Sequence, residues 1–172
     1  HAVVKSIDTS EALSVKGVVA IVHTFNTPVT PFNSLKKYVG HKIIEDEYLF
    51  PRTVRYVGDR VAAVAAETAE AAEKAAKLIK VEYEELPFVL TIDEAMKEGA
   101  PDINGNKNLQ FEMESNAGDF ETAFKESCRT YEATYYFPAL HHAMIENQVV
   151  TAHFEPDGLL TIWVPTQNSV AH

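Results

Sequence analysis

Residues 54–87 read VRYVGDRVAAVAAETAEAAEKAAKLIKVEYEELP, which is the pattern of a turn, a strand, a helix and a second strand. Gly58-Asp59 is typical of a turn that closes the short β-branched run before it. Val61 to Ala66 is an unbroken apolar run of strand length, so we expect a strand that is buried on both faces. Lys80 to Glu84 alternates and predicts another strand, which Pro87 ends.

The segment between these two strands predicts an amphipathic helix. Thr68 can cap its N-terminus, and Glu70 falls in the first turn, where a negative charge is favourable. Apolar residues recur at helical spacing and form one stripe: Ala71, Ala72, Ala75, Leu78 and Ile79. Because alanine side chains are small, this stripe can lie close to a sheet. We expect the helix to pack on a mixed sheet of an α+β domain.

The same residues resemble the end of the α/β hammerhead domain that opens the molybdenum-binding subunit of the xanthine dehydrogenase and aldehyde oxidase family. The resemblance rests on four phrases, which are VRYVGD at 54–59, VAAV at 61–64, Glu67-Thr68 and VEYEELP at 81–87. A match of this length is specific, whereas an alanine-rich helix after a strand would not be. The resemblance implies that the first part of the chain is a hammerhead domain.

The opening HAVVKSIDTSEALSVKGVVAIV, residues 1–22, is similar to the start of the same domain. Its pattern predicts strands at His1 to Asp8 and Val18 to His23, the second one buried. Ser10 can cap the short helix between them, and Gly17 ends it. Family members carry a few residues before the matched histidine, so we expect the sequence to be a fragment that begins at or inside the domain.

Composition and charge exclude several classes of protein. The 172 residues suit one large domain or one and a half small ones. Lys and Arg number 15 against 25 Asp and Glu, a net charge of −10, which argues against a nucleic-acid surface. No apolar run approaches the roughly 18 residues of a membrane span, and no signal peptide is visible. The single cysteine, Cys128, excludes an internal disulfide and a cysteine-held metal site within the sequence, and it fits an expected cytoplasmic location.

The sequence beyond residue 99 predicts a domain boundary. Ile103 to Asn108 contains one glycine and three asparagines, and such a run of turn-forming polar residues is typical of linkers. We expect the hammerhead domain at residues 1–99, a linker at 100–117 and a second domain at 118–172. We expect that second domain to be cut at the last residue of the sequence.

The second domain has a β-rich pattern. Asp119 can cap a helix of about two turns, and Thr130 to Phe137 and Gln148 to Glu155 predict strands. Asp157-Gly158 is a strong hairpin signal before a partner strand at Leu159 to Val164. The phrase around Asp119 resembles the opening of the family's molybdopterin-binding domain. The expected fold class is therefore α+β, an α/β hammerhead domain followed by the truncated β-rich opening of a molybdopterin-binding domain.

Three other stretches have plain structural interpretations. Glu45-Asp46-Glu47 is expected to form a solvated acidic face. Val89 to Ile92 is expected to form a short strand, followed by one helical turn at Asp93 to Met96. Arg129 beside Cys128 would lower the pKa of the thiol if the two groups met, but such a cysteine is ordinarily inert.

The stretch from His141 to Glu146 draws attention as a candidate metal site. His142 and Glu146 are four residues apart and would share a metal only if the segment were helical. It lacks the H-E-x-x-H pattern of zinc proteases, and Pro138 and β-rich neighbours favour a bend, with Glu146 held by backbone donors. The stretch resembles a family phrase near the molybdenum pocket, which implies a mainly structural role.

The phrase from Trp163 to Gln167 is the other candidate site. Taken alone, it is an ordinary polar strand end. It resembles a family segment that ends in Thr-Gln, and Thr166-Gln167 matches those two residues. The resemblance implies that Gln167 lies beside the oxo ligand of the molybdenum, so Gln167 is the one residue assigned to cofactor binding. It also implies that the general-base glutamate lies outside this sequence, so no catalytic residue and no metal ligand is assigned within it.

The resemblance implies a molybdenum hydroxylase that oxidatively hydroxylates a heterocycle or aldehyde carbon, with water as the oxygen source. It implies molybdenum-molybdopterin as the cofactor of the intact protein. Iron–sulfur clusters and FAD are implied on other domains or subunits, which would be its partners together with a small-molecule substrate. The intact enzyme is expected to be an oligomer, and the fragment alone is expected to be inactive.

Two alternatives stay open on the sequence. The chain can be a non-catalytic assembly module that contributes subunit contacts and a wall of the site. It can also come from a relative that acts on a CoA thioester or on carbon monoxide, because the loops that select the substrate lie outside the sequence.

Overall fold

The structure, a computed structural model, describes residues 1–33, 45–109, 112 and 114–166. The chain divides into two units, His1–Met113 and Glu114–His172. In chain order the first unit contains β1 (Ala2–Asp8), α1 (Ser10–Leu13), β2 (Val18–His23), β3 (Thr53–Val54), β4 (Ala62–Ala66), α2 (Ala69–Ala76), β5 (Lys80–Glu85) and α3 (Ile92–Ala95). The second contains α4 (Phe120–Glu126), β6 (Thr151–Phe154) and β7 (Leu160–Trp163). The predicted α+β class is confirmed.

The β1 strand is the centre of a three-stranded antiparallel sheet with the order β3-β1-β5. Its Val4 side chain is 0% exposed and forms a buried cluster with Ala2 and Val54. The strands predicted at residues 1–8 and 80–84 are therefore present, and they pair with each other. This pairing brings β1, at the start of the hammerhead sequence, beside β5, near its end.

The helix α2 packs on the second sheet, which is an antiparallel pair of β2 and β4. Ala75 of α2 and Ala12 of α1 are both 0% exposed and form a buried cluster with Ile21 of β2. Partly buried apolar residues complete this cluster: Val15, Val18, Val64, Leu78 and Ile79. The predicted apolar stripe of the helix is confirmed, and small side chains allow the helices to approach the strands closely.

The predicted cap of α2 is also confirmed. The Thr68 hydroxyl accepts a hydrogen bond from the Ala71 backbone N–H at 3.2 Å, and Glu70 lies in the first turn. The helix ends at Ala76, and Lys77 is the C-terminal cap residue. It has eight residues, and no helix in the described part of the chain is long and apolar enough to cross a bilayer.

The expectation that Val61 to Ala66 is buried on both faces is wrong. Ala63 and Ala65 are exposed, whereas Val64 is partly buried against the α2 cluster. The α2 helix covers one face of the β2–β4 pair, and the exposure of the two alanines shows that the described residues leave the other face open. Alanine buries little apolar area, so an alanine-rich strand does not require cover on both faces.

The expectation of a mixed sheet is wrong as well, because every strand pair in the described residues is antiparallel. The strands β4 and β5 belong to different sheets, so α2 connects two sheets and does not cross over one. The place beside β5 is taken by β1. Helical spacing in the sequence identified the helix but carries no information about which strands pair.

Two local expectations in the first unit need correction. The α1 helix begins at Ser10 itself, after Thr9, and the Ser10 N–H donates to Asp8 Oδ1 at 2.9 Å. No strand forms at residues 89–92. Instead the Thr91 hydroxyl accepts from the Glu94 N–H at 3.2 Å and caps α3, while Glu94 Oε2 accepts from the Leu90 N–H at 3.2 Å. This Thr-x-x-Glu pattern is a helix-start signal in the sequence, and it defines the predicted helical turn at residues 93–96.

The acidic stretch at residues 45–47 is not simply a solvated face. The Asp46 side chain is 20% exposed, and its Oδ2 lies 2.6 Å from Nη1 of Arg55, which is 23% exposed. A backbone bridge also joins Glu47 to Phe32. The sequence pattern assigns no role to Arg55, because its partner lies nine positions earlier, beyond the reach of helix or strand periodicity.

The second unit confirms the helix but not all of the strands. Asp119 caps α4, with its Oδ1 accepting from the Thr122 N–H at 3.1 Å. The segment from Thr130 to Phe137, predicted as a strand, has no regular structure and is exposed throughout. The strand predicted at Gln148 to Glu155 is present only as β6. Alternation alone does not make a strand, because the backbone must also find a hydrogen-bonding partner, and the described residues give residues 130–137 none.

Candidate functional site

The β6–β7 hairpin carries the first candidate site at the end of its second strand. The Glu155 N–H donates to the Leu159 carbonyl at 2.7 Å, and the Gly158 N–H donates to the Glu155 carbonyl at 3.0 Å. Asp157 Oδ1 accepts from the Leu159 N–H at 3.1 Å, and Gly158 has a φ of +92°, which favours glycine. The predicted hairpin is therefore confirmed.

This turn fixes the register of the two strands, with Thr151 opposite Trp163. The β7 strand ends at Trp163, and the residues from Val164 to Thr166 follow it with no regular structure and are exposed. Gln167 lies outside the described residues, so its role beside the metal stays a prediction. The structure describes the strand that leads to it and the residue before it.

The second candidate site, from His141 to Glu146, forms an exposed bend. The Ala143 N–H donates to His141 Nδ1 at 2.9 Å, and Ala143 has a φ of +49°. The bend was predicted, but the backbone donors expected at Glu146 are not found: its carboxylate makes no hydrogen bond to the described residues. Since the segment is not helical, His142 and Glu146 do not share the helix face that a metal pair requires.

The rest of the unit adds little reactive chemistry. His153 Nε2 lies 3.5 Å from Glu155 Oε2 on the hairpin, and both side chains are exposed. The Thr122 hydroxyl and N–H, which both donate to Asp119, hold the pKa of this carboxyl below its usual value. Cys128 is exposed. Across the described ranges, no three His, Cys, Asp or Glu side chains come together in a way that could hold a metal ion.

Comparison with known sequences divides the chain in the same order. The family model described as "Aldehyde oxidase and xanthine dehydrogenase, a/b hammerhead domain" matches residues 1–87. A model described as "Molybdopterin cofactor-binding domain" matches residues 102–172. The two matches together leave only residues 88–101 between them.

Similar proteins carry names from the same group of oxidoreductases. The chain is 33% identical over 168 residues to the nicotinate dehydrogenase large molybdopterin subunit of Eubacterium barkeri, covering 98% of the chain and 38% of that relative. It is 32% identical over 175 residues to the xanthine dehydrogenase molybdenum-binding subunit of Escherichia coli O157:H7, covering 97% of the chain and 23% of the relative. The chain thus spans well under half the length of these relatives.

Solved structures agree with this fold. The aldehyde oxidoreductase of Desulfovibrio gigas matches with a TM-score of 0.81 and 29% identity, over 95% of this chain and 18% of that one. Quinoline 2-oxidoreductase from Pseudomonas putida 86 matches with a TM-score of 0.72 and 27% identity, over 96% of this chain and 22% of that one. Because the hammerhead model matches more than half of the residues, the chain belongs to the aldehyde oxidase and xanthine dehydrogenase family of molybdenum hydroxylases, and it carries the hammerhead domain and the start of the molybdopterin cofactor-binding domain.

Proposed function

We propose that this protein acts as part of the molybdenum-binding subunit of a hydroxylase that oxidises a carbon of a heterocycle or an aldehyde, with water as the oxygen source. The observation that carries the proposal is the succession of a hammerhead match and a molybdopterin cofactor-binding match along one chain. Relatives named for nicotinate, xanthine and quinoline support a nitrogen heterocycle, and the relative named for aldehydes supports the second substrate class.

Molybdenum-molybdopterin is the cofactor in this proposal, in line with the cofactor-binding match, and Gln167 is the residue that we assign to its metal end. When bound, this cofactor supplies the two-electron redox chemistry of the hydroxylation. The exposed stretch from Val164 to Thr166 directly follows a strand whose register a tight hairpin fixes, and the end of such a strand is a suitable place to present a polar side chain. The next residue, Gln167, offers two amide N–H donors, the chemistry that an oxo ligand accepts.

In this proposal the chain positions the cofactor, and the proton transfer is done elsewhere. Gln167 holds an N–H toward a place where negative charge increases during turnover, as preorganised donors do in other enzymes. The general base belongs to residues outside this chain, and the first unit serves as a folded support. Iron–sulfur clusters and FAD on other domains or subunits take the electrons onward. We also propose an oligomeric enzyme in the cytoplasm, which gel filtration and cell fractionation test.

The experiment compares Gln167→Ala with a control in the full-length protein. Molybdenum content is measured by mass spectrometry of the metal, and turnover is measured as dye reduction with nicotinate, xanthine, quinoline and a set of aldehydes. We expect Gln167→Ala to lower kcat by about a hundred- to a thousandfold while molybdenum content and folding persist, because one preorganised donor contributes about that much. Asn116→Ala is the control, since this carboxamide donates to Glu114 at 2.6 Å and is exposed.

Each result has a distinct meaning. A wild-type protein that contains molybdenum but oxidises none of these compounds would exclude the proposed substrate classes and leave a CoA thioester or carbon monoxide to be tested. A full-length protein that lacks molybdenum would support the non-catalytic assembly module. Wild-type turnover by fully loaded Gln167→Ala would remove the role of this side chain while leaving the reaction class intact.

A further inference from the structure

The loop of residues 101–109, here called the exit loop, is closed by hydrogen bonds from one side chain. Asn108 Oδ1 accepts from the Ile103 N–H at 2.8 Å. Asn108 Nδ2 donates to the carbonyl oxygens of Ala95 at 3.0 Å and Pro101 at 2.9 Å. A single carboxamide therefore binds the loop to itself and to the end of α3.

The backbone of the exit loop also differs from that of a flexible linker. Lys107 and Asn108 have φ values of +52° and +62°, in the left-handed region that residues other than glycine adopt uncommonly. Asp102 Oδ1 accepts from the Gly105 N–H at 2.8 Å, and backbone N–H groups, Lys107 first, lower the pKa of the Asp102 carboxyl. Such conformations persist only where the surrounding structure holds them.

Arg55 connects the exit loop to the rest of the first unit. Its Nη1 donates to Asn104 Oδ1 at 3.2 Å and to Asp46 Oδ2 at 2.6 Å, and its Nη2 donates to the Asp46 carbonyl at 3.0 Å. The Asp59 carboxylate accepts from the Arg55 backbone N–H at 3.0 Å. Because the Arg55 and Asp46 side chains are mostly buried, solvent and salt screen this pair less than a surface pair.

We propose that the exit loop is a rigid bracket, anchored by Arg55, which holds the backbone of residues 101–109 against the rest of the first unit. Glycine- and asparagine-rich stretches between domains are ordinarily flexible, and a flexible segment keeps conformational entropy that must be lost when its ends are placed. In the exit loop, the hydrogen bonds within the first unit have already removed this conformational entropy. The cofactor-binding match begins at residue 102, so the first residues of that match belong to the bracket. The proposal concerns the backbone and does not depend on the reaction or its substrate.

Trypsin cleavage after Lys107 in the full-length protein tests the bracket. Proteolysis of a structured loop follows the population of its open form when closing is fast, and mass spectrometry identifies the bond that is cut. Arg55→Lys keeps the charge but loses the planar guanidinium that bonds Asp46 and Asn104 together. Asn104→Ala removes only the bond to the loop. We expect each variant to accelerate this cleavage about tenfold or more, because a hydrogen bond to a charged group shifts an equilibrium by roughly ten- to a hundredfold.

Two comparisons separate the bracket from general destabilisation. Arg60→Lys is the matched control, since Arg60 is exposed and its Nη2 donates to the Tyr48 carbonyl at 3.2 Å, so cleavage after Lys107 should stay at the wild-type rate. Cleavage after Lys5, which lies in the central strand β1, reports unfolding of the first unit, because a protease must open the sheet to reach this backbone. The bracket is supported if only the Lys107 site accelerates in Arg55→Lys and Asn104→Ala. It is overturned if neither variant changes that rate, or if the Lys5 site accelerates equally.

Discussion

Substitution of Ala75 by glutamate tests the packing of α2 most directly. Ala75 is 0% exposed and lies in a cluster with Ala12 and Ile21, so the new carboxyl has neither water nor a cationic partner within that cluster. A fully buried carboxyl raises its pKa by up to about 3–5 units, so the folded form binds a proton at pH 7, and the cost is limited by the gap of about 2.7 units between pH 7 and the ordinary pKa of about 4.3, which is about 3.7 kcal/mol. Forcing the larger side chain into the site adds about 1–3 kcal/mol. We therefore expect Ala75→Glu to lower the free energy of unfolding by at least about 4 kcal/mol, which is comparable with the whole stability of many domains.

The assay is a urea titration of the full-length protein in which hydrogen exchange is followed in peptides from residues 62–79. Ala76→Glu is the control, because Ala76 is exposed on the same helix. This substitution should lower the free energy of unfolding by no more than about 1 kcal/mol, mainly because it places a negative charge at the C-terminal end of the helix. Ala75→Leu adds volume without charge and separates the two contributions. The penalty of Ala75→Glu should also shrink as pH falls from the raised pKa towards the ordinary pKa of about 4.3, because in this range the folded form binds a proton that the unfolded form lacks. Equal midpoints for Ala75→Glu and Ala76→Glu would refute the packing of α2 on the β2–β4 pair.

Two further predictions concern local structure. Gly58 has a φ of +105°, and no described atom lies within 4 Å of the position that a Cβ would take. We expect Gly58→Ala to lower the free energy of unfolding by about 1–3 kcal/mol through backbone strain alone, measured by the same urea titration. An unchanged free energy of unfolding would contradict this prediction. The Leu90 N–H, followed by the Thr91 hydroxyl, lowers the pKa of Glu94. Its contribution to the stability of α3 is present above the ordinary pKa of about 4.3 and is lost as pH falls through the lowered value. The protection of residues 91–96 against hydrogen exchange, taken relative to the intrinsic exchange rate at each pH, should therefore decrease on acidification. Glu94→Gln should weaken this pH dependence. An identical pH profile in the wild-type and variant proteins would exclude the Glu94 carboxylate as its cause.

The features that could be predicted from sequence are those encoded within a few residues. The cap at Thr68, the cap at Asp119 and the turn at Asp157-Gly158 each need one side chain and a backbone group two or three positions away, so the local pattern suffices. The stripe around Ala75 follows from helical spacing in the same way. The resemblance to a family supplied the order of the two domains.

The features that were missed depend on residues distant in sequence. Whether Ala63 faces solvent depends on what covers the sheet, and alanine permits either outcome. Whether residues 130–137 form a strand depends on a partner that no local pattern identifies. The bonds from Arg55 to Asp46 and Asn104 join three segments, one of them 49 positions away, so no periodicity connects them. The role of Gln167 rests on resemblance, and it stays a prediction.

The central position of β1 has a consequence for biosynthesis. In the sequence β1 precedes both of its partners, which are β3 at residues 53–54 and β5 at residues 80–85. At a translation rate of about 5–20 residues per second, β5 leaves the ribosome roughly 4–16 seconds after β1. During that interval the apolar side chains of β1, including Val4, have no completed sheet to enter. We expect the three-stranded sheet to be completed only after Glu85 has emerged, so the first unit should fold late in its own synthesis.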